Sequence, residues 1–263
     1  MYSDSRFIGQ PLNIERNTEI MSTTTDRERT HVVALSGGRD STAMALRLAE
    51  VEPRNYSFVC SPTGDELPPV VKHWRNMESI IGSPLTYVSA GYSLVELTKE
   101  QNMLPNWRAR FCTRMLKIVP FQAWIINRLP ATVYVGLRAD EESREGVDYE
   151  LDLFLDQRSP LAEWGWTYGD VTCYLESKGV VIPPRTDCAR CYYQTLFEWY
   201  TLSIQYPETY ESAIDDELRT GHTYRSPQRD TWPSALYDLR EEFRAGRIPK
   251  EYKRGDGCRI CTL

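Results

Sequence analysis

His31-Val32-Val33-Ala34-Leu35, followed by Ser36-Gly37-Gly38-Arg39-Asp40-Ser41 and then by Thr42 to Val51 with Ala, Met and Leu at helical spacing, reads as strand, tight turn and helix. The same alternation repeats downstream. Asn55–Cys60 reads as a second strand, and Glu66–Ile81 as a helix entered through Pro68-Pro69, because proline is tolerated in a first helical turn. Leu85–Ser89 supplies a third strand, Leu94–Glu100 a short helix, Thr113–Arg128 a longer one and Thr132–Leu137 a fourth strand.

Strands alternating with helices predict an α/β fold: a Rossmann-like, doubly wound parallel sheet with helices on both faces, here expected over residues 31–180. Ahead of it, residues 1–30 are polar, lack apolar periodicity and contain Ser22-Thr23-Thr24-Thr25, so they read as a flexible tail in which Met21 is a candidate start. Beyond Ser159 the pattern turns helical and rich in Trp and Tyr, with a break at Ile182-Pro183-Pro184 and an acidic stretch from Glu208 to Glu217. Residues 181–263 are expected to form a helical C-terminal region carrying two C-x-x-C pairs.

A length of 263 residues fits one core with an appendage. Hydrophobic residues at 41% and charged residues at 26% are ordinary for a globular chain, and no apolar run nears the ~18 residues a membrane-spanning helix needs. A net charge of −6 argues against a protein that coats nucleic acid with its whole surface, but permits a local basic patch. Seven Cys and three His (His31, His73, His222) leave little room for a His-rich metal site or a Ser-His-Asp triad. No secretory signal is legible, so a cytoplasmic location is expected, and the thiols point to metal, iron–sulfur or redox chemistry.

An open α/β sheet binds ligands at the carboxyl ends of its strands, where a helix N-terminus presents free N–H groups and about half a positive charge. Ser36 to Ser41 occupy that place. Two glycines allow a tight turn and close approach to a phosphate, the Ser36 and Ser41 hydroxyls can donate to its oxygens, and Asp40 can hold Mg²⁺ or orient the loop. The spacing fits neither a Walker loop nor a dinucleotide-binding glycine motif.

Ser36-Gly37-Gly38-Arg39-Asp40-Ser41 after a first strand resembles the pyrophosphate (PP) loop of the adenine nucleotide α-hydrolase superfamily, which cleaves ATP between its α and β phosphates. Further segments resemble its phosphoadenosine phosphosulfate (PAPS) reductase branch. Thr63-Gly64-Asp65-Glu66-Leu67-Pro68 is similar to T-G-x-E-x-P, and Cys112-Thr113-Arg114-Met115-Leu116-Lys117-Ile118-Val119-Pro120 to C-T-x-x-L-K-x-x-P. Gly136 to Arg144 resembles G-x-R-x-x-E-S-x-x-R with an offset, and Pro160-Leu161 to Trp164, Asp170-Val171 and Tyr174-Leu175 follow in the family's order. The resemblance implies that Ser36, Gly37, Gly38, Arg39, Asp40, Ser41, Thr63, Gly64, Arg114, Lys117, Arg138 and Arg144 bind an adenine nucleotide.

From Gln101 to Ala139 the chain has no Asp or Glu, whereas its 37 acids in 263 residues would place five or six there. The same stretch carries Arg108, Arg110, Arg114, Lys117, Arg128 and Arg138. Such a surface attracts phosphates, and Trp107 and Phe111 between the arginines can stack on a base. Arg108 and Arg110 lie outside the family-like motifs and are free to meet a larger, polyanionic substrate.

Cys188-Ala189-Arg190-Cys191 and Cys258-Arg259-Ile260-Cys261 offer four thiolates, the ligand set of a structural Zn²⁺. Soft thiolates equally suit an iron–sulfur cluster. In the cluster-bearing branch of the family a Cys-Cys pair joins a later C-x-x-C; here Cys112 is followed by Thr113, so Cys112, Cys188 and Cys191 would leave one iron open. The two sites compete for Cys188 and Cys191. Cys60 and Cys173 lie in apolar runs and are expected to be buried.

The resemblance implies ATP with Mg²⁺, adenylation of a substrate oxygen and displacement of AMP by sulfur, with Asp40 and Cys112 as catalytic candidates. The acceptor would be a nucleic acid or other polyanion, and the sulfur could come from a donor protein. The alternatives are thiol-dependent reduction of PAPS or adenosine phosphosulfate to sulfite, and a non-catalytic nucleotide-binding module. Reductases of the family carry a Glu-Cys-Gly-hydrophobic-His tail; this sequence reads Gly257-Cys258-Arg259-Ile260-Cys261-Thr262-Leu263 instead.

Overall fold

Alternate residues of the first strand serve different layers, and that alternation organises the molecule. In β1 (Thr30–Ala34), Val33 and the following Leu35 pack on one side of the sheet, Val32 and Ala34 on the other. The computed structural model describes residues 28–141 and 154–251. The tail to residue 27, Arg144, Cys258 and Cys261 lie outside them.

After β1 come α1 (Arg39–Val51), β2 (Tyr56–Cys60), α2 (Pro68–Ile81), β3 (Leu85–Tyr87) and α3 (Leu94–Gln101). A composite helix, α4, follows: α-helical over Phe111–Thr113, widened to a π-turn over Arg114–Ile118, α-helical again over Val119–Ile125 and tightened to 3-10 over Ile126–Arg128. Its π-turn has a local cause. Pro120 lacks an N–H and its ring would crowd the carbonyl of residue 116, and widening the preceding turn relieves that clash. Next come β4 (Ala131–Tyr134), β5 (Leu155–Arg158), α5 (Pro160–Glu163), α6 (Tyr168–Ser177), α7 (Leu196–Gln205), α8 (Pro207–Thr220) and α9 (Leu236–Arg244).

The five strands form one parallel sheet in the order β3-β2-β1-β4-β5. Met44 and Leu48 of α1, Val70 and Trp74 of α2 and Val171 and Leu175 of α6 cover one face; Phe121 and Ile125 of α4 cover the other. The doubly wound α/β sheet expected from the sequence is present. A third core joins α7, α8 and α9 around the fully buried Trp199, with Leu202, Tyr210, Leu236 and Leu239. No described helix is long and apolar enough to cross a membrane.

Two features depart from the sequence reading. β5 was not anticipated: Leu155-Asp156-Gln157-Arg158 is polar, yet it pairs with Ala131 to Tyr134 at the sheet edge. Cys173 is exposed rather than buried. It lies between Val171 and Leu175, which share the inner face of α6 at four-residue spacing, so position 173 turns outward. Cys60 is buried as expected, and burial pushes its thiol pKa up.

Candidate active site

The turn after β1 is built by an intimate contact with α2. Gly37 has φ of +82°, and a Cβ there would lie 2.5 Å from Trp74 Nε1. Only glycine fits both demands. Trp74 Nε1 in turn donates to the Ser36 carbonyl at 3.0 Å, which fixes the height of the turn above the sheet. The Ser36 and Ser41 hydroxyls meet at 3.0 Å, and Ser41 Oγ donates to the Gly38 carbonyl at 3.2 Å. Gly38 is the N-cap of α1 and brings no side chain to its amides, so the first turn keeps donors for an anion.

That helix start faces a cleft whose floor is the carboxyl ends of β1 and β4, at Ala34-Leu35 and Val135-Gly136. The strand order reverses direction between β1 and β4, which is where open α/β sheets leave a ligand crevice. Gly136 permits the first turn of α1 to pack closely on the segment after β4: a Cβ on it would lie 2.9 Å from Ser41 N.

Behind the turn, Asp40 Oδ2 accepts from Arg138 Nη1 at 2.8 Å. Arg138 Nε donates to Asp140 Oδ1 at 2.8 Å, and its side chain is 1% exposed. Burial works against the guanidinium charge, but the bond to Asp140 and the Asp40 and Glu141 carboxylates outweigh it and raise the Arg138 pKa. Arg39 turns onto Tyr168 of α6, with its guanidinium 4.7 Å from the ring centroid and a hydrogen bond to the hydroxyl. The cation expected to meet ligand at position 138 is therefore a buried support of the loop, one layer back from the cleft.

The opposite wall comes from the segment after α6. Thr186, Asp187 and Cys188 line the cleft, and Thr186 Oγ1 would lie 3.5 Å from a Cβ on Gly38. This segment is pinned to the loop after β2. Glu66 and Cys188 form an antiparallel bridge, Ala189 N donates to the Asp65 carbonyl at 2.7 Å, and Arg190 N donates to Asp65 Oδ2 at 2.9 Å. Burial pushes the Asp65 pKa up to about 6 despite the Arg190 charge beside it. Glu66 accepts from the amides of Thr63 and Gly64 and from the Thr63 hydroxyl at 2.7 Å. Thr63 Oγ1 also lies 3.1 Å from Cys188 Sγ.

Of the residues singled out in the sequence, Ser36, Gly38, Arg39, Asp40, Ser41, Lys117 and Cys188 line this cleft. Gly37 shapes the turn from beneath, Thr63 and Gly64 shape the neighbouring loop, and Arg114 is exposed on α4. Cys112 is half-buried against the small core of Leu94, Leu97 and Leu116, which Cys188 also borders; Cys191 is buried. Among the described residues no three His, Cys, Asp or Glu side chains converge as a metal site. Sequence reasoning missed Trp74, Glu66, Thr186 and Asp187. Glu66 was visible inside a quoted motif, whereas Trp74 looked like any apolar position of α2.

No family model and no curated protein matches the sequence. Among solved structures, the chain is similar to phosphoadenylyl-sulfate (PAPS) reductase from Candida auris in a phosphate complex, with TM-score 0.47 and 15% identity over 62% of this chain and 80% of that one. It is also similar to NH3-dependent NAD synthetase from Campylobacter jejuni in complex with nitrate, with TM-score 0.43 and 14% identity over 89% and 95%. A third similar structure is the U34-tRNA thiolase NcsA from Methanococcus maripaludis with its [4Fe-4S] cluster, with TM-score 0.44 and 13% identity over 91% and 90%. Residue roles are not carried across at such identities.

Proposed function

We propose that this chain is a PAPS reductase-like PP-loop enzyme that binds ATP, cleaves it between the α and β phosphates and transfers sulfur to an acceptor. The observation that carries this reading is the start of α1 behind Gly37-Gly38, whose amides no N-cap side chain covers, opening into the crevice between β1 and β4. Lys117 and the Cys188 thiol stand on the surrounding wall.

In the first step an acceptor oxygen attacks the α-phosphorus, forming an O–P bond as the bond to pyrophosphate breaks. The α1 amides and the Ser36 and Ser41 hydroxyls hold the departing pyrophosphate, and Lys117 offsets its charge. In the second step a sulfur nucleophile attacks the carbon bearing the adenylated oxygen; the C–S bond forms, the C–O bond breaks and AMP leaves. Asp40 and Glu66 both line the cleft and are oxygen donors of the kind Mg²⁺ takes together with phosphates. Mg²⁺ held there would neutralise phosphate charge. A metal centre on Cys188 and Cys191 would be completed as zinc by Cys258 and Cys261 or as an iron–sulfur cluster by Cys112; Cys112, Cys188 and Cys191 do not converge as a metal site among the described residues, which favours the two-pair zinc. Iron, sulfide and zinc analysis of anaerobically purified protein separates the two.

The test is ATP binding by titration calorimetry and product analysis. Ser36→Ala with Ser41→Ala removes two hydroxyl donors to charged oxygens and should weaken ATP binding by at least about tenfold with the thermal melt preserved. Wild-type protein supplied with ATP, acceptor and a sulfur donor should yield AMP and pyrophosphate. Sulfite release from PAPS without ATP would replace this reading with reduction.

A further inference from the structure

Trp107 is 59% exposed, an uncommon setting for the largest apolar side chain. It is displayed by a closed turn. Asn106 Oδ1 accepts from the amides of Arg108 and Ala109 at 2.9 and 3.0 Å, and Asn106 N donates to the Ala109 carbonyl at 3.2 Å. The Arg108 guanidinium lies 4.6 Å from the Trp107 ring centroid, which adds positive charge beside the aromatic surface. Directly after the turn, exposed Arg110 precedes the start of α4, exposed Arg114 follows four residues later, and Lys117 three residues beyond that lines the cleft. Arg114 N donates to the Arg110 carbonyl at 3.3 Å, so the two arginines stand one turn apart, and Arg114 opens the π-turn on which Lys117 also lies. The turn and the helix belong to the 39 residues from Gln101 to Ala139 that contain no acid, in a protein of net charge −6.

We infer that this surface, from Trp107 through Arg108, Arg110 and Arg114 to Lys117, is a docking track for a single-stranded polynucleotide. The inference rests on the proposed function for its endpoint, since the strand it guides would be the acceptor delivered to the cleft. Charge complementarity selects a polyanion, and the exposed ring selects one whose bases are unpaired and free to stack. A duplex hides its bases from such a platform, and an acidic protein segment offers carboxylates but no flat ring matched to Trp107.

Fluorescence anisotropy with a labelled oligouridylate and with a duplex of the same length tests the track, using the full chain across a salt series. Wild-type protein should prefer the single strand. Trp107→Ala should weaken that binding by about tenfold, with Trp107→Phe retaining much of it. Arg108→Ala with Arg110→Ala should reduce the slope of log affinity against log salt by about 1.4, the loss expected for two phosphate contacts. Equal affinity for duplex and single strand, or binding unaffected by Trp107→Ala, would overturn the proposal. So would complete displacement of the oligonucleotide by poly-glutamate at equal charge, which would assign the surface to an acidic protein. ATP binding measured on the same variants should match wild type, as none of the three residues lines the cleft. Protein that binds ATP but no oligonucleotide refutes the track alone; protein that binds the oligonucleotide but no ATP refutes the enzyme reading instead.

Discussion

Arg138 Nη1 and Asp40 Oδ2 lie 2.8 Å apart across 98 residues of chain, joining the end of the fourth strand to the first turn of the helix that follows the first. The Arg138 side chain is 1% and the Asp40 side chain 10% exposed, so neither charge has much water to fall back on. A buried pair of this kind is costly to break from one side only.

Asp40→Ala should therefore destabilise the fold by about 3–5 kcal/mol, because it leaves a buried guanidinium short of a counter-charge. Asp40→Ala combined with Arg138→Met should lose less than Asp40→Ala alone. Urea denaturation of the two single variants and the double variant measures the coupling, and strictly additive losses would show that the pair does not hold the loop.

Gly136→Ala tests the junction between the end of β4 and the first turn of α1. A methyl group 2.9 Å from Ser41 N has to push α1 away from the sheet, at a cost of about 1–3 kcal/mol, and should weaken ATP binding beyond what the stability loss explains. Calorimetric ATP titration well below the melting temperature reads the second effect directly.

The contact between Gly37 and Trp74 predicts an epistatic pattern. Gly37→Ala should be severe in the wild-type background, where its Cβ meets the indole at 2.5 Å. Trp74→Phe leaves the Ser36 carbonyl without its donor, costing about 1–3 kcal/mol, and should soften the steric part of the Gly37→Ala penalty. The φ of +82° keeps the double variant from full recovery. Melting temperatures of the four proteins decide this; a Gly37→Ala penalty unchanged by Trp74→Phe would locate the clash elsewhere.

The contribution of Glu217 to stability should fall as pH rises from about 5 to above 7, opposed in part by His31 and His73, whose pKa values burial lowers. Glu217 in α8 is buried while accepting from the amides of Tyr224 and Leu236 at 2.8 and 2.7 Å, and burial lifts its pKa from 4.5 to about 7. A carboxyl raised in the folded state keeps its proton where the unfolded chain has released it. Its stabilisation is thus complete below pH 4.5 and lost as pH climbs through 7. The ceiling is about 3 kcal/mol at 1.36 kcal/mol per pKa unit. Asp65, raised to about 6, acts in the same direction. Urea melts at several pH values should show the stability of wild type falling relative to that of Glu217→Gln across this range.

Thiol accessibility separates two cysteines that the sequence treated alike. Cys173 should react with an alkylating reagent in the native protein, and Cys60 only after denaturation, since Cys60 is buried and its thiol pKa is raised. Peptide mapping by mass spectrometry after a short pulse identifies the modified residue.

What the sequence made legible was short-range. The run from His31 to Val51 carries its own strand periodicity, glycine turn and helix, and nothing distant is needed to read it. β5 was hidden because an edge strand facing solvent has no apolar alternation to display: Asp156 and Gln157 are both exposed. Arg138 was read as a ligand contact because its partner Asp40 lies far away in sequence, and no local pattern signals that the two charges neutralise each other. The wall formed by Thr186 and Asp187 was equally hidden, since only folding brings it over Gly38.

The bridge between Glu66 and Cys188, with Thr63 reaching Cys188 across 125 residues, has a kinetic consequence. Contacts of such high contact order close late in folding. The sheet, whose central β1–β4 pairing already joins Thr30 to Ala131, is complete in chain order by Arg158, but the cleft gains its second wall only when the chain beyond α6 has returned. ATP should accordingly slow hydrogen exchange most at the amides of Ala189 and Arg190, which are tied to Asp65. A chain still emerging from the ribosome would hold its sheet before it held its site.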